Sequence, residues 1–493
     1  MKYVLGIDIG TGSVKAVAVD LQCRSFEVCQ QHYTFHAPQP GFHEQDPGQI
    51  WLAFTTVVKD IIAKVGVQPL GVGLSSAMHS LITVDKTCNA LAPMTTWADN
   101  RSAEIALKLR GTEEGMAIYR ATGTPIHAMS PLCKLIWMKE HTPDLFADTY
   151  KFISIKEYIW YRLFKEYKVD ESIASSTGLF DIHRSVWHSD ALKKAGITDQ
   201  LLSESVPTSY TRFYKGDLPD FLHADVAVTI GGSDGCLANL GCMANTPGTA
   251  AMTIGTSGAV RIASDRPLLD DTAMTFSYIL EKGTFISGGP INNGGIALQW
   301  WLNNNAASGL DEDGYDHALS QIQHIAAGSD GLLFLPYLTG ERAPIWDSES
   351  CGVFFGMRLV HNNAHFTKAV LEGICYAMKS VLEAMYIHNV PLEQINMSGG
   401  LIRSKLWLQI LADITGKNLV VVQTDDASAI GAAFMTMKKL GLINDYPASG
   451  NSDPQVIRPN EVNTTLYSKH FAIFKRLYLD LKETMHDFNQ MAK

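Results

Sequence analysis

Leu5-Gly6-Ile7-Asp8-Ile9-Gly10-Thr11-Gly12-Ser13 is an apolar, β-forming run that breaks into glycine, threonine and serine. Ala251-Met252-Thr253-Ile254-Gly255-Thr256-Ser257-Gly258 repeats the pattern near the middle of the chain. A turn of this composition exposes backbone N–H groups, and its small side chains let a phosphate come close. One copy alone reads as a tight hairpin. Two copies predict two related halves that face one polyphosphate across a cleft.

The rest of the chain agrees with that reading. At 493 residues it is too long for one core and suits two large domains. Hydrophobic residues make up 46% and charged residues 18%, ordinary values for a folded globular protein. The net charge of −10 argues against a nucleic-acid partner, which needs a basic face. The eight cysteines are scattered without metal-ligand spacing, so reduced thiols and a cytoplasmic location are expected. The N-terminus lacks the pattern of a signal peptide, and no segment has the length and apolarity to span a membrane.

Periodicity predicts a strand over Tyr3–Ile9 with a hairpin partner over Val14–Asp20, a helix from Gly48 to Val65 and a buried strand from Leu70 to Ser75. Asp225–Ile230 reads as a strand ending in Gly231-Gly232-Ser233-Asp234-Gly235. The pattern restarts at Ala251. It continues with a long amphipathic helix over His365–His388, a strand Ile395–Ser398 running into Gly399-Gly400, and a last core helix over Ala427–Leu440. The boundary is expected near Asn245, giving domains 1–245 and 246–493. The alternation is α/β with mixed sheets. A hairpin opening each half is the layout of ribonuclease-H-like domains, the actin/hexokinase-type ATPase fold.

Four clusters could carry chemistry. Asp8, at a strand end, could hold Mg²⁺, a hard ion that favours carboxylate and phosphate oxygens. Gly10 and Thr11 offer donors to phosphate, and Lys15 a point charge. Asp234, flanked by glycines after a strand, could take the proton of an attacking hydroxyl; a helix cap is the plainer alternative. Ser76-Ala77-Met78-His79-Ser80 and Trp97-Ala98-Asp99-Asn100-Arg101 place groups in loops that could bind a polyol, with Arg101 suited to clamp a carboxylate. Ser398-Gly399-Gly400-Leu401 is a turn where backbone could approach a nucleotide.

Over nearly its whole length the chain resembles the FGGY-type carbohydrate kinases. The resemblance rests on Met129-Ser130-Pro131-Leu132-Cys133-Lys134-Leu135-Ile136-Trp137 and on Gly352-Val353-Phe354-Phe355-Gly356-Met357, with Tyr337-Leu338-Thr339-Gly340-Glu341-Arg342-Ala343-Pro344 as a further stretch. Within the family, Ser75–Ser80, Thr96–Ser102, Thr122–His127 and Gly288–Gly295 are most similar to gluconate kinases. Xylulose kinases usually carry Gly-Gln before the Met-His pair, where this chain has Ser76-Ala77.

The resemblance implies ATP and Mg²⁺ as cofactors and a small sugar or sugar acid as substrate, and homodimers are common in the family. It implies Asp234 as base, Met78 and His79 in the sugar pocket, and Asp8, Gly10, Thr11 and Lys15 at Mg²⁺ and the phosphates. Thr256 would serve the second phosphate loop, and Gly295, Gln299, Gly400 and Ser404 would contact the nucleotide. Asp99 and Arg101 complete the expected substrate site, Arg101 as carboxylate partner being read from its chemistry alone. The expected activity is phosphorylation of D-gluconate at its terminal hydroxyl. The alternatives are a xylulose or other polyol kinase, an actin- or chaperone-like ATPase without a small acceptor, and a catalytically dead sugar sensor.

Overall fold

The computed structural model describes residues 2–218, 221–273, 275–305, 318–386, 391–422, 424, 426–448 and 455–491. Two compact units divide the chain. The first is Met1–Asn245 with Ala263–Ser287 and Asp426–Ala448; the second is Thr246–Ile262 with Gly288–Asp425 and Ser449–Lys493. By contacts, the segments 263–287 and 426–448 pack in the first unit, although they lie beyond residue 245 in the chain.

In the first unit, β1 (Tyr3–Ile9) pairs antiparallel with β2 (Ser13–Asp20), which pairs antiparallel with β3 (Ser25–His32). On its other side β1 runs parallel to β4 (Gly71–Ser76), β4 parallel to β6 (Ala227–Ser233), and β6 antiparallel to β5 (Thr211–Phe213). The order is β5-β6-β4-β1-β2-β3. Both faces of β1 are covered, which is why its sequence is almost continuously apolar rather than alternating.

One face carries Leu5, Ile7 and Ile9 against α1 (Pro47–Val65), whose Ile50, Phe54, Val57 and Ile61 belong to the same core. Helix α1 starts where the Asp46 side chain accepts from the Gly48 N–H with Pro47 in the first turn, and stops at Gly66 in the left-handed conformation. The opposite face carries Val4, Val17 and Val19 against α5 (Asp234–Gly241) and α9 (Ala427–Lys439). There Gly6 matters: a Cβ on it would lie 1.8 Å from the Ala429 carbonyl oxygen. Helix α9 thus rests directly on the strand backbone. Gly241 and Gly431 do the same for the α5–α9 crossing, against the carbonyls of Ala427 and Leu237.

Between β4 and β5 the first unit carries a largely helical insertion that includes α2 (Pro131–His141), α3 (Ile155–Phe164) and α4 (Glu171–Ser175).

The sheet of the second unit repeats the first. Strand β7 (Thr249–Ile254) pairs antiparallel with β8 (Gly258–Ser264) and parallel with β10 (Gln394–Ser398). Strand β10 is parallel to β11 (Asn418–Val421), which is antiparallel to β12 (Val456–Ile457). With β9 (Thr284–Ile291) beyond β8, and a seventh strand, Phe276–Glu281, beyond β9, the run β9-β8-β7-β10-β11-β12 matches β3-β2-β1-β4-β6-β5. The duplication reaches side chains. Asp8 lies opposite Ser75 and Thr253 opposite Ser398; Ser75 Oγ donates to Asp8 at 2.7 Å, and the Thr253 and Ser398 hydroxyls bond at 2.8 Å.

This is the mixed α/β, ribonuclease-H-like arrangement read from the two hairpins. Helices α6 (Gly295–Asn305), α7 (Asn363–Tyr386), α8 (Lys405–Thr415) and α10 (Glu461–Met491) complete the second unit. The expected end of α7 at 387 and 388 lies outside the described residues. The long α10 was not read from the sequence. Its Tyr478 hydroxyl and His486 Nε2 both meet the Asp347 carboxylate at 2.9 Å. All eight cysteines are free thiols. No helix among the described residues is long and apolar enough to cross a membrane.

Candidate active site

The first Gly-Thr turn is held from three sides. The Gly10 N–H donates to the Ser13 carbonyl at 2.9 Å, so it closes the hairpin rather than standing open. The Tyr33 hydroxyl donates to the Gly10 carbonyl, and Gln45 Nε2 to the Thr11 carbonyl at 2.6 Å. Trp97 Nε1 donates to Thr11 Oγ1 at 2.8 Å, which joins the 97–101 loop to this turn.

Asp8 and Lys15 face each other across the β1–β2 pair. Burial pushes the Asp8 carboxyl above the usual carboxylate range, with Ser75 and Lys15 pulling it back and Asp426 adding to the rise. Lys15 Nζ is 2.5 Å from Asp426 Oδ1 at the start of α9. Lys15 is thus paired with Asp426 and lies in register opposite Asp8. Mg²⁺ binds through one or two carboxylates and fills its shell with water and phosphate oxygens. Asp8 has that donor chemistry, with Asp426 beyond Lys15 as a second carboxylate.

Asp234 opens α5, with Ser233 as its cap accepting from the Cys236 N–H. It is half-buried, and its Oδ1 accepts from the Gly235 N–H at 2.7 Å. A bulge precedes it: the β4–β6 register shifts between Thr229 and Gly232, and Gly231 sits at φ +68° with room for no Cβ against the Leu74 carbonyl, 1.7 Å away. Behind the bulge, buried Lys156 donates to the Gly232 carbonyl at 2.6 Å and pairs with Asp170 at 2.7 Å. Asp234 therefore does cap-like work in the helix start while its carboxylate keeps some exposure to solvent.

His79 adopts φ +65°, in the left-handed region that is uncommon for residues other than glycine. Its Nδ1 lies 2.8 Å from the Ser176 carbonyl, and its own carbonyl accepts from Lys134 Nζ at 2.6 Å. Met78 beside it is half-buried against the cores around α5 and α4.

The structure corrects the expected role of Arg101. Its guanidinium grips Asp99 through Nε and Nη2, both at 2.8 Å, and reaches Glu44 at 2.5 Å. It also stacks 3.8 Å from the Phe42 ring centroid. One guanidinium already shared by two carboxylates is a poor reader of a third. Asp99, fully buried, spends Oδ2 on the His43 N–H at 2.7 Å as well. Both residues brace the loop.

In the second unit, the Gly255-Thr256-Ser257 turn is exposed. The N–H groups of Gly295 and Ile296, at the start of α6, donate to the carbonyls of Gly255 and Thr256 at 2.7 and 3.1 Å. The first turn of α6 is thus anchored to this loop, with exposed Gln299 one turn further on. Gly399, at φ +87°, brings the exposed Gly400 turn against the end of β7, where a Cβ would lie 2.9 Å from the Ile254 carbonyl. Ser404 is committed elsewhere: it caps α8, accepting from the Trp407 N–H at 3.2 Å.

Two motifs quoted separately from the sequence meet here. Asn293 Nδ2 donates to the Gly340 carbonyl at 2.7 Å and to Glu341 at 3.1 Å, and Arg342 Nε donates to Asn292 Oδ1 at 2.6 Å. Burial pushes the Glu341 carboxyl upward, while the Asn292 and Arg342 main-chain N–H groups and Asn293 Nδ2 pull it down.

Lys134, Asp426 and Glu44 were missed as candidates. A signal existed only for Lys134, a lone cation within the apolar run Leu132–Met138. Burial pushes its ammonium down to about 7, with Asp99 opposing, Arg101 assisting and Cys133 opposing. Unfolded lysine titrates near 10.4, so between about pH 7 and 10 the folded chain binds fewer protons than the unfolded one. This group's contribution to stability therefore rises with pH across that window and is flat below it. Melting of the wild type and of Lys134→Met, followed from pH 6 to 10, should show the difference moving in favour of the wild type as pH rises. A constant difference contradicts the assignment.

The profile described as "FGGY family of carbohydrate kinases, N-terminal domain" matches residues 3–241, and that of the C-terminal domain matches 250–440. A gluconokinase of Bacillus subtilis is 36% identical over 507 aligned residues, covering 99% of this chain and 98% of that protein. The crystal structure of a gluconate kinase from Lactobacillus acidophilus superposes with a TM-score of 0.94 at 30% identity, covering 99% of both chains. A ligand-bound xylulose kinase from the same organism gives a TM-score of 0.94 at 30% identity, covering 99% of this chain and all of that one. With both domains matched and the duplicated Gly-Thr turns in place, the chain belongs to the FGGY family of carbohydrate kinases.

Proposed function

We propose that the enzyme transfers the γ-phosphoryl group of ATP to the terminal hydroxyl of D-gluconate, giving 6-phosphogluconate and ADP. The observation that carries the choice of acceptor is the 36% identity to a gluconokinase along the full chain, against 27% for a xylulose kinase of Staphylococcus epidermidis. Asp234 accepts the hydroxyl proton as the oxygen attacks phosphorus. Met78 and His79 orient the sugar. Thr11 and Thr256 bind phosphate oxygens, while Gly295, Gln299 and Gly400 line the nucleotide site. Asp8 would hold Mg²⁺, whose charge would offset that of the phosphates. Lys15 moves from Asp426 toward the triphosphate, and Ser404 serves through the helix it caps. Reduced thiols fit a cytoplasmic enzyme.

The test is a panel of gluconate, xylulose, ribulose, glycerol, fuculose and rhamnulose under identical conditions. The reading expects gluconate to give the highest kcat/KM by at least about tenfold, a difference of ~1.4 kcal/mol. A higher value for xylulose replaces gluconate with a pentulose; ATP hydrolysis indifferent to every sugar favours an acceptor-free ATPase.

Arg101→Ala should reduce activity on gluconate and on the best neutral acceptor by the same factor. Removing one partner of a buried charge pair costs about 3–5 kcal/mol of stability, so the variant should also melt earlier. A loss confined to gluconate would return Arg101 to the acceptor's carboxylate.

A further inference from the structure

Helix α2 reads Pro-Leu-Cys-Lys-Leu-Ile-Trp-Met from Pro131, and Lys134 within it is 1% exposed. A lysine amine is strongly hydrated, and burying it is costly unless its donors are matched. Here two of its three donors are matched by main-chain carbonyls, those of His79 and Thr96, each at 2.6 Å. The charged and titratable groups around it are Asp99 and Arg101 from the 96–101 loop, His43, and Cys133 on its own helix.

Those two carbonyls belong to different loops. The first is the loop of Met78 and His79. His79 is held in its sparsely populated conformation from both ends, the ring by Ser176 and the main chain by Lys134. Such a conformation persists only where the surroundings over-determine it. The second loop continues from Thr96 into Trp97, whose indole N–H donates to Thr11 Oγ1 in the first Gly-Thr turn. One buried amine therefore stands at the junction of a connected path from His79 to Thr11.

We propose that Lys134 is a positioning residue that ties the loop holding the acceptor to the turn holding phosphate, so that ATP cleavage is coupled to the presence of acceptor. This rests on the reading that His79 contacts the sugar and Thr11 the triphosphate. Lys134 touches neither substrate. Without it, His79 is free to relax to an ordinary backbone conformation, and the Thr96–Trp97 segment loses its fixed distance from the sugar loop.

The test compares wild type, Lys134→Met, Trp97→Phe and the double variant. Each is measured for acceptor KM, ATP KM, and the ratio of ATP hydrolysed to sugar phosphate formed, using the panel sugar that the wild type phosphorylates best. A wrong choice of sugar thus shows in the wild type alone and leaves the comparison intact. Lys134→Met should raise acceptor KM by about tenfold or more and increase hydrolysis without transfer, with ATP KM changing by less than about threefold. Trp97→Phe, at a site 38% exposed, removes the link to Thr11 without opening the core and should also raise the uncoupled fraction. The double variant should be no more uncoupled than Lys134→Met, because both cut one path. If Lys134→Met does not fold, Trp97→Phe decides alone. A folded Lys134→Met with wild-type acceptor KM and coupling, additive effects in the double variant, or a Trp97→Phe enzyme as tightly coupled as the wild type would each overturn the proposal.

Discussion

Asp234→Asn should lower kcat by about 10²–10⁴-fold, the usual contribution of a positioned general base, while gluconate binding stays within about threefold of the wild type. The amide keeps the carboxylate's shape, and its oxygen can still accept from the Gly235 N–H, as Asp234 Oδ1 does at 2.7 Å. What it loses is the capacity to take a proton. The Ser233 cap on α5 is untouched by the change, so the helix start should remain in place. Steady-state kinetics alongside calorimetric titration with gluconate separates the two effects. A variant with near-wild-type kcat removes Asp234 from the chemistry and leaves it as part of a helix start. A variant that no longer binds gluconate makes it a binding group instead.

The second large effect concerns the backbone beneath that aspartate. Gly231→Ala should reduce kcat by about 10²-fold with Asp234 still present, because misplacing a reacting group by about 1 Å costs that much. Gly231 is at φ +68°, and an added Cβ would lie 1.7 Å from the Leu74 main-chain oxygen. That oxygen belongs to central strand β4 and cannot swing aside as a side chain would. Either the bulge flattens or β4 and β6 move apart, and both displace the start of α5. The strain is also expected to lower stability by about 1–3 kcal/mol. Gly232→Ala is the control. Its Cβ would come no closer than 3.3 Å to Ser172 Oγ, a far milder contact than that at Gly231, and its activity should stay within about threefold. Equal losses in the two variants would mean that the bulge does not aim Asp234.

Much of this arrangement can be read from the chain before it is folded. The two Gly-Thr turns announce a duplicated sheet, and the duplication extends to the pairs Asp8–Ser75 and Thr253–Ser398. Gly6, inside an apolar strand, marks the place where another backbone must come close; the partner turns out to be Ala429, far along the chain. What stayed hidden depends on such distant partners. Periodicity finds the helix starting at Ala427 but not that it packs on β1. Arg101 looks like a free clamp in one dimension, since Glu44 and Phe42 approach it only through the fold. Ser404 sits near a glycine turn in sequence, yet its hydroxyl serves the helix it begins. Lys134 was visible as an oddity, a cation in an apolar helix, but its two carbonyl partners are set by loops that local patterns do not position.

Asp234 and the paired Gly-Thr turns are proposed to act on one reaction. A crystal structure of the enzyme with gluconate and a non-hydrolysable ATP analogue measures this directly. The terminal hydroxyl of gluconate is expected about 3 Å from the Asp234 carboxylate, with phosphate oxygens at both Thr11 and Thr256. A hydroxyl held away from Asp234, or a triphosphate that meets neither threonine, would contradict the proposal.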